Sequence, residues 1–331
     1  ARLMQAAAPG RNPWSALTAR QPVTDAFSWD DLPPLRVKGK AEPVKVFSLN
    51  GPKERQAIHL QEPTYALPMV GREAELNLTR RKLNEVLEGH GQIVSIVAEA
   101  GMGKSRLVAE IIRLANDNQM VAYGGECQSY GTNISYLAWH SIWRGFFHLD
   151  SIREVPEQIA QLEQQLKLID PALAPRLPLL EVALNIPIPD NELTQSFDAK
   201  LRKSSLEALL VDCLRARARK TPLLLVLENC HWLDPLSHDL LEEIGRTIAD
   251  LPVLLVMALR PPDLHRLQVP RVSQLPHFSE IPLADFTDQE AERLITLKLH
   301  QFLAHRLNCL MFWLSASPLA PRATLSTLRN S

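Results

Sequence analysis

The sequence predicts an α/β protein built on a doubly wound parallel sheet, and three observations carry that expectation. An apolar, β-branched run at Ile93, Val94, Ile96 and Val97 leads into a glycine-bearing turn and then into helix-forming text, read together as IVSIVAEAGMGKSRL. Two further runs, 223–227 and 253–259, are continuously apolar and of strand length, as strands covered on both faces should be. Segments of helical periodicity lie between these runs, so strands and helices alternate.

Taken in order, residues 1–50 form a unit of their own. ARLMQAAAPG reads as a helix end stopped by glycine, and VKGKAEPVKVFSL as a β-hairpin turning around Gly39 to Pro43. Residues 51–67, rich in proline and polar side chains, read as a linker. From Pro68 the text PMVGREAEL opens a helix through about Glu88, with Leu76, Leu83 and Leu87 among its apolar positions and Gly89 as its stop. The 93–97 strand and the turn follow. A second strand is expected at 120–123, its GGE exit placed beside the turn. The next 90 residues read as mainly helical, with 201–218 carrying Leu206, Leu209, Leu210, Cys213 and Leu214 on one face and a cationic RARARK end that suits a helix C-terminus. That charge run reads as solvated structure. After the apolar strand ending at Glu228, Asp234 before Pro235 spells an N-cap followed by proline at the first helical position. The strand at 253–259 ends at Arg260, and DFTDQEAERLITLKL (285–299) reads as a capped amphipathic helix. From about Gln301 the pattern collapses into an irregular tail.

The turn has the chemistry of a phosphate-binding loop. Its backbone must aim successive N–H groups at an anion, and Gly101 and Gly103 permit the dihedrals and close approach this needs. Ala98, Glu99, Ala100, Gly101, Met102, Gly103, Lys104 and Ser105 would form the cradle. Lys104 would reach the β- and γ-phosphates of ATP, Ser105 would ligate Mg²⁺, and the helix beginning there directs its positive dipole end at the phosphates. Ala98 departs from the G-x-x-x-x-G-K-[ST] form, standing where the first glycine usually does. The alternative reading is an ordinary strand–turn–helix.

Composition narrows the partners. The 331 residues carry 36 Lys+Arg against 37 Asp+Glu, a net charge of −1. No global field favours nucleic acid or an anionic membrane, and neither is expected as a partner. The apolar runs fall far short of the ~20 residues needed to span a bilayer. Cys127, Cys213, Cys230 and Cys309 show no CxxC pairing and no histidine at zinc-ligand spacing, which suits a reducing cytosol with neither disulfide nor structural metal. The chain opens at Ala1 rather than Met, which reads as a fragment or a processed product.

Two stretches resemble known families. The opening ARL helix and the VKGKAEPVKVF hairpin resemble the C-terminal end of class III adenylate/guanylate cyclase domains. The resemblance implies an α+β remnant in which Arg2 matches the arginine of an N-x-x-x-R motif, with the other catalytic residues lying before Ala1. VGREAEL, AEAGMGKSRL and LLLVLENCHWLDP together resemble an AAA-type ATPase domain of the Orc1-like, STAND-related group often fused behind such cyclases, here covering 68–300. That resemblance places Val70 and Gly71 at the adenine, while Arg72 reads as a surface charge. It makes Glu228 the acid that holds Mg²⁺ directly or through water, and Arg260 the residue that senses the γ-phosphate. His231 and Trp232 match an HW pair, with His231 read as a packed residue.

Where the family carries a second acid after Glu228, this chain has Asn229. An amide orients a water but cannot take its proton, so ATP would bind well and turn over slowly, or Glu228 itself would serve as base. The tail has a sharper reading too: with codons shifted across the residue boundaries, 308–331 can encode a peptide containing the ATPase family's ITARAQGNPFYIEE. A frameshift between about His300 and His305 would then have made residues 301–331. The functional expectation is a Mg·ATP-binding regulatory ATPase module of a cytosolic cyclase-type signalling protein, working in cis with an upstream cyclase domain and C-terminal domains. The alternatives are a non-hydrolysing ATP-dependent switch and, less favoured, an initiator-like DNA-binding ATPase.

Overall fold

A computed structural model describes residues 13–15, 27–35, 44–52 and 67–316, except 130, 131, 133, 153 and 262–270. Near the N-terminus, β1 (Pro13–Ser15), β2 (Phe27–Leu35) and β3 (Val44–Pro52) form a three-stranded antiparallel sheet in the order β1-β3-β2. The second arm of the expected hairpin falls within β3. The described partner arm is β2, earlier than the expected arm that follows Leu35, and β1 was not foreseen. The β2–β3 register slips between Leu32 and Leu35, where Pro33 and Pro34 bring no N–H to the ladder. The expected opening helix, Arg2 and most of the linker lie outside the described residues.

The main body is the expected parallel sheet: β4 (Gln92–Val97), β5 (Val121–Glu126), β6 (Leu223–Glu228), β7 (Val253–Leu259) and β8 (Phe278–Pro282), in the order β5-β6-β7-β4-β8, every pair parallel. Side chains alternate between the faces with period two, and each face is apolar. Val94, Ile96, Leu224, Val226, Leu254 and Val256 pack on one side with Leu83 and Val86 of α1 (Glu73–Leu87) and Leu107, Ile111 and Ile112 of α2 (Lys104–Asp117). Ile93, Leu223, Leu225, Leu227, Val253 and Leu255 pack on the other, among the following helical elements. These are α3 (Leu137–Phe146), α4 (Val155–Ile169), α5 (Leu180–Leu184), α6 (Glu192–Gln195), α7 (Ala199–Ala218) and α8 (Pro235–Thr247). Full burial of each such aliphatic side chain contributes ~1.5–3 kcal/mol, so the continuous apolar spelling of the strands is what fixes a two-sided sheet.

Four details differ from expectation. Leu87 is 38% exposed, and Val86 takes the buried position on α1; Gly89 follows as the stop, its N–H donating to the Val86 carbonyl at 2.9 Å. β5 lies at the sheet edge, separated from β4 by β7 and β6, so its GGE exit meets the end of β6 rather than the phosphate loop. β8 was missed because it is an edge strand in which only Ile281 is buried and Pro282 closes the run. The last helix, α9 (Asp288–Ala316), starts later than Asp285 and runs through text read as irregular. Thr287 sets its start: Glu290 N–H donates to Thr287 Oγ1 at 3.3 Å and Thr287 N–H to Glu290 Oε2 at 2.8 Å. Residues 301–316 contain no Gly or Pro and many good helix formers, which is why the helix persists.

Candidate functional site

The phosphate loop leaves β4 at Ala98 and enters α2 at Lys104. Gly101 (φ 85°) and Gly103 (φ 90°) both take left-handed backbone, the conformation for which the sequence supplies glycine. Ala98 is 3% exposed and its methyl packs with the core on the α1/α2 side of the sheet, so the departure from glycine is absorbed as packing. Glu99, Ala100, Gly101 and Gly103 are exposed and Met102 is half-buried. The Lys104 ammonium folds back over the loop, donating to the Ala98 carbonyl at 2.6 Å and the Glu99 carbonyl at 2.7 Å. Its pKa is pulled below the usual lysine range by burial and then by the Arg260 charge, against an opposing pull from Glu99.

Across the sheet edge, the Ser105 hydroxyl donates to Glu228 Oε2 at 3.1 Å, joining the start of α2 to the end of β6. A hydroxyl and a carboxylate brought together are hard oxygen donors, and Mg²⁺ is commonly held by one or two such groups with substrate phosphates completing its shell. The donor set therefore fits the ion. Asn229, next in the chain, takes left-handed backbone (φ 57°) and its Nδ2 donates to Glu126 Oε1 of β5 at 3.2 Å. Arg260 is exposed at the end of β7, the strand between β4 and β6. Glu228, Asn229, Arg260, Lys104 and Ser105 thus all lie at the C-terminal edge of the sheet.

The segment before α1 closes one flank of the loop. Val70 is 4% exposed, Gly71 is buried beside it, and Arg72 is not the surface charge that was expected but 9% exposed. Its guanidinium donates to the Met102 carbonyl at 3.3 Å and the Ala284 carbonyl at 2.7 Å, pairs with Glu75 at 3.2 Å, and lies 4.9 Å from the centroid of the Phe286 ring. One residue ties the phosphate loop, the start of α1 and the β8–α9 connection. Sequence reasoning passed over it because a lone arginine before a helix carries no periodic signal.

Two neighbours of the site are held by packing and capping contacts. His231 packs against Trp232 with ring centroids 5.3 Å apart, in a short 3-10 turn after Asn229. Asp234 is 3% exposed and caps α8: its Oδ1 accepts from Ser237 N–H at 3.0 Å and Tyr136 N–H at 3.3 Å, and Oδ2 from the Ser237 hydroxyl. Cys127, Cys213 and Cys230 are buried free thiols, and burial pushes Cys213 up to about 12. Glu126 was the residue missed altogether. Its signal was the GG before it: a Cβ at Gly125 would run into the Ala138 carbonyl oxygen of α3, so the helix seats directly on the strand that ends in Glu126.

The model of the AAA ATPase domain family matches residues 68–256. An uncharacterized protein of Rhizobium meliloti (strain 1021) is 30% identical over 239 residues, covering 68% of this chain and 22% of the relative. Adenylate cyclase type 10 of Oryctolagus cuniculus is 21% identical over 243 residues, covering 71% of this chain and 15% of its own length. This chain thus spans about a fifth or less of these curated relatives. Among solved structures, the Aeropyrum pernix Orc1 protein in complex with DNA is similar at a TM-score of 0.40 and 16% identity, covering 75% of this chain and 54% of that one. A STAND protein of Pyrococcus horikoshii with a tetratricopeptide repeat sensor is similar at a TM-score of 0.32 and 13% identity, covering 67% and 24%. No helix among the described residues is long and apolar enough to cross a membrane.

Proposed function

This chain belongs to the AAA ATPase domain family, and from that premise we propose that it binds Mg·ATP as the regulatory module of a cytosolic signalling protein of the nucleotide-cyclase type. The observation that carries the nucleotide half of this reading is the 3.1 Å contact between Ser105 and Glu228 beside the Lys104 cradle. The cyclase half is supported by the distant resemblance to adenylate cyclase type 10 and by the VKGKAEPVKVF text. On binding, the Lys104 ammonium exchanges the Ala98 and Glu99 carbonyls for phosphate oxygens, while backbone N–H groups of the loop and the start of α2 neutralise the remaining charge. Ser105 and Glu228 would hold Mg²⁺, which would supply charge stabilisation to the phosphates. Val70 and Gly71 border the adenine, and Arg260 reports on the γ-phosphate end.

A second reading, a non-hydrolysing switch, is favoured by Asn229, because an amide cannot accept the proton of an attacking water. A DNA-binding role is disfavoured by the net charge of −1. The test is the thermal midpoint with and without Mg·ATP, run beside Lys104→Ala. At 100-fold excess over Kd a ligand of the folded state adds about 2.7 kcal/mol, which raises the midpoint of a domain this size by roughly 5–10 °C. The wild type should show that rise and Lys104→Ala should lose it. No rise in the wild type would refute nucleotide binding.

A further inference from the structure

The amide at 229 is flanked by two carboxylates, and their surroundings differ. Glu126 and Glu228 are register partners on adjacent parallel strands, so their side chains leave the same face of the sheet about 4.8 Å apart. The ladder continues one step further through Cys127 N–H to the Glu228 carbonyl at 2.9 Å, which fixes the end of β5 against β6. Glu228 is engaged on the side of α2, accepting from Ser105 Oγ at 3.1 Å. Glu126 is engaged on the side of Asn229, accepting from its Nδ2 at 3.2 Å.

The backbone explains why the amide points there. Asn229 leaves the strand in left-handed geometry (φ 57°), which asparagine tolerates better than most residues, and this turns its side chain towards the tip of β5. That tip is held from behind. Ser141 Oγ of α3 donates to the Gly124 carbonyl at 2.8 Å, and α3 packs so close to Gly125 that no side chain fits there. Glu126 therefore stands on a braced strand end, half-buried, with an oriented amide between it and the loop edge.

We propose that Glu126 supplies the carboxylate that position 229 lacks, acting as the general base for ATP hydrolysis while Asn229 positions the attacking water and Glu228 stays with Ser105 on the metal side. The inference rests on the Mg·ATP reading above. In the step, the water oxygen forms a bond to the γ-phosphorus and its proton passes to a Glu126 carboxylate oxygen. The bond between γ-phosphorus and the β,γ-bridging oxygen breaks, and its electron pair leaves with ADP. Glu126 then returns the proton to solvent, so ATP and water give ADP, phosphate and one proton.

The experiment measures phosphate release, its pH profile and the Mg·ATP-induced rise in thermal midpoint. The chains compared are wild type, Lys104→Ala, Glu126→Gln, Glu126→Asp and the double variant Glu126→Gln/Asn229→Asp. A positioned base contributes roughly 10²–10⁴-fold. Glu126→Gln should keep the ATP-induced rise, slow release by about 100-fold or more, and lose the acid limb of the pH profile. Glu126→Asp should retain that limb at a reduced rate, and it decides the matter if the Gln variant does not fold. The double variant should recover at least about tenfold of the lost rate by restoring an acid one residue away. Release by Glu126→Gln within about twofold of wild type overturns the assignment. So does a wild type that shows the thermal rise yet releases no more phosphate than Lys104→Ala. Absence of the rise in the wild type overturns the nucleotide reading instead, and the inference falls with it.

Discussion

Removing the Asp234 carboxylate separates a structural from a catalytic role for the acid nearest the HW pair. Its oxygens satisfy two backbone N–H groups and one hydroxyl: Ser237 N–H at 3.0 Å, Tyr136 N–H at 3.3 Å, and Ser237 Oγ. The first belongs to the opening turn of α8 and the second to the entrance of α3, so one side chain welds two helices. Asp234→Ala loses an N-cap, which costs ~1 kcal/mol. It also strands the buried Tyr136 N–H, which costs a further ~1–3 kcal/mol. A total near 3 kcal/mol lowers the midpoint of a domain this size by about 6–12 °C. Thermal unfolding followed by circular dichroism reads this directly. Asp234→Asn, which keeps the acceptor oxygen at an equally good cap, should lose no more than about a third of that. A purely structural role for Asp234 is refuted if Asp234→Ala melts within about 2 °C of wild type, or if Asp234→Asn is stable yet abolishes phosphate release.

Two further outcomes are expected. Arg72→Ala removes charged hydrogen bonds to the Met102 and Ala284 carbonyls, each worth ~1.5–3 kcal/mol. It should weaken Mg·ATP binding several-fold in calorimetric titration, and Arg72→Lys should not restore it, because an ammonium cannot fork between two carbonyls and cover the Phe286 ring. Unchanged affinity in Arg72→Ala would detach this arginine from the loop. Burial holds both His140 and His238 below the usual histidine range. In the unfolded chain these side chains take a proton below about pH 6.5, whereas in the folded chain they resist it. Their contribution is therefore complete above that pH and is lost as pH falls through the folded values. The thermal midpoint should drop as pH falls below about 6.5, and replacing both histidines with glutamine should flatten that slope; an equally steep slope in the double variant would refute their part in it.

The parallel sheet was legible because burial on both faces forces unbroken apolar spelling, as at 223–227 and 253–259. The phosphate loop was legible because its chemistry is compressed into eight consecutive residues. Strand order was not legible: Tyr123 and its neighbours say that a strand exists, but which strand it pairs with depends on the crossovers. β8 hid because an edge strand with one buried residue has no periodic signature. α9 beyond Gln301 hid because its apolar residues follow no single face, although its lack of Gly and Pro allows a helix. Arg72 and Glu126 hid for a common reason: each acts on residues distant in sequence, the first on Met102 and Ala284, the second on Asn229.

Sheet order explains how such scattered groups make one site. Along the edge the order β5-β6-β7-β4 presents Glu126, then Glu228 and Asn229, then Arg260, then the loop from Ala98 to Ser105. Strands are spaced by about 4.8 Å, so the ends of β4 and β6 stand roughly 10 Å apart with β7 between them. Ser105 nevertheless meets Glu228 at 3.1 Å, which requires the loop and the first turn of α2 to arch over the end of β7. Arg260 follows β7 at this edge, and its charge adds to burial in lowering the Lys104 pKa. The Ser105–Glu228 contact thus lies between the loop and the tip of β5. The acid–amide pair at Glu126 and Asn229 stands beyond Glu228 along that edge, on the side away from the loop, which is the placement the proposed base requires.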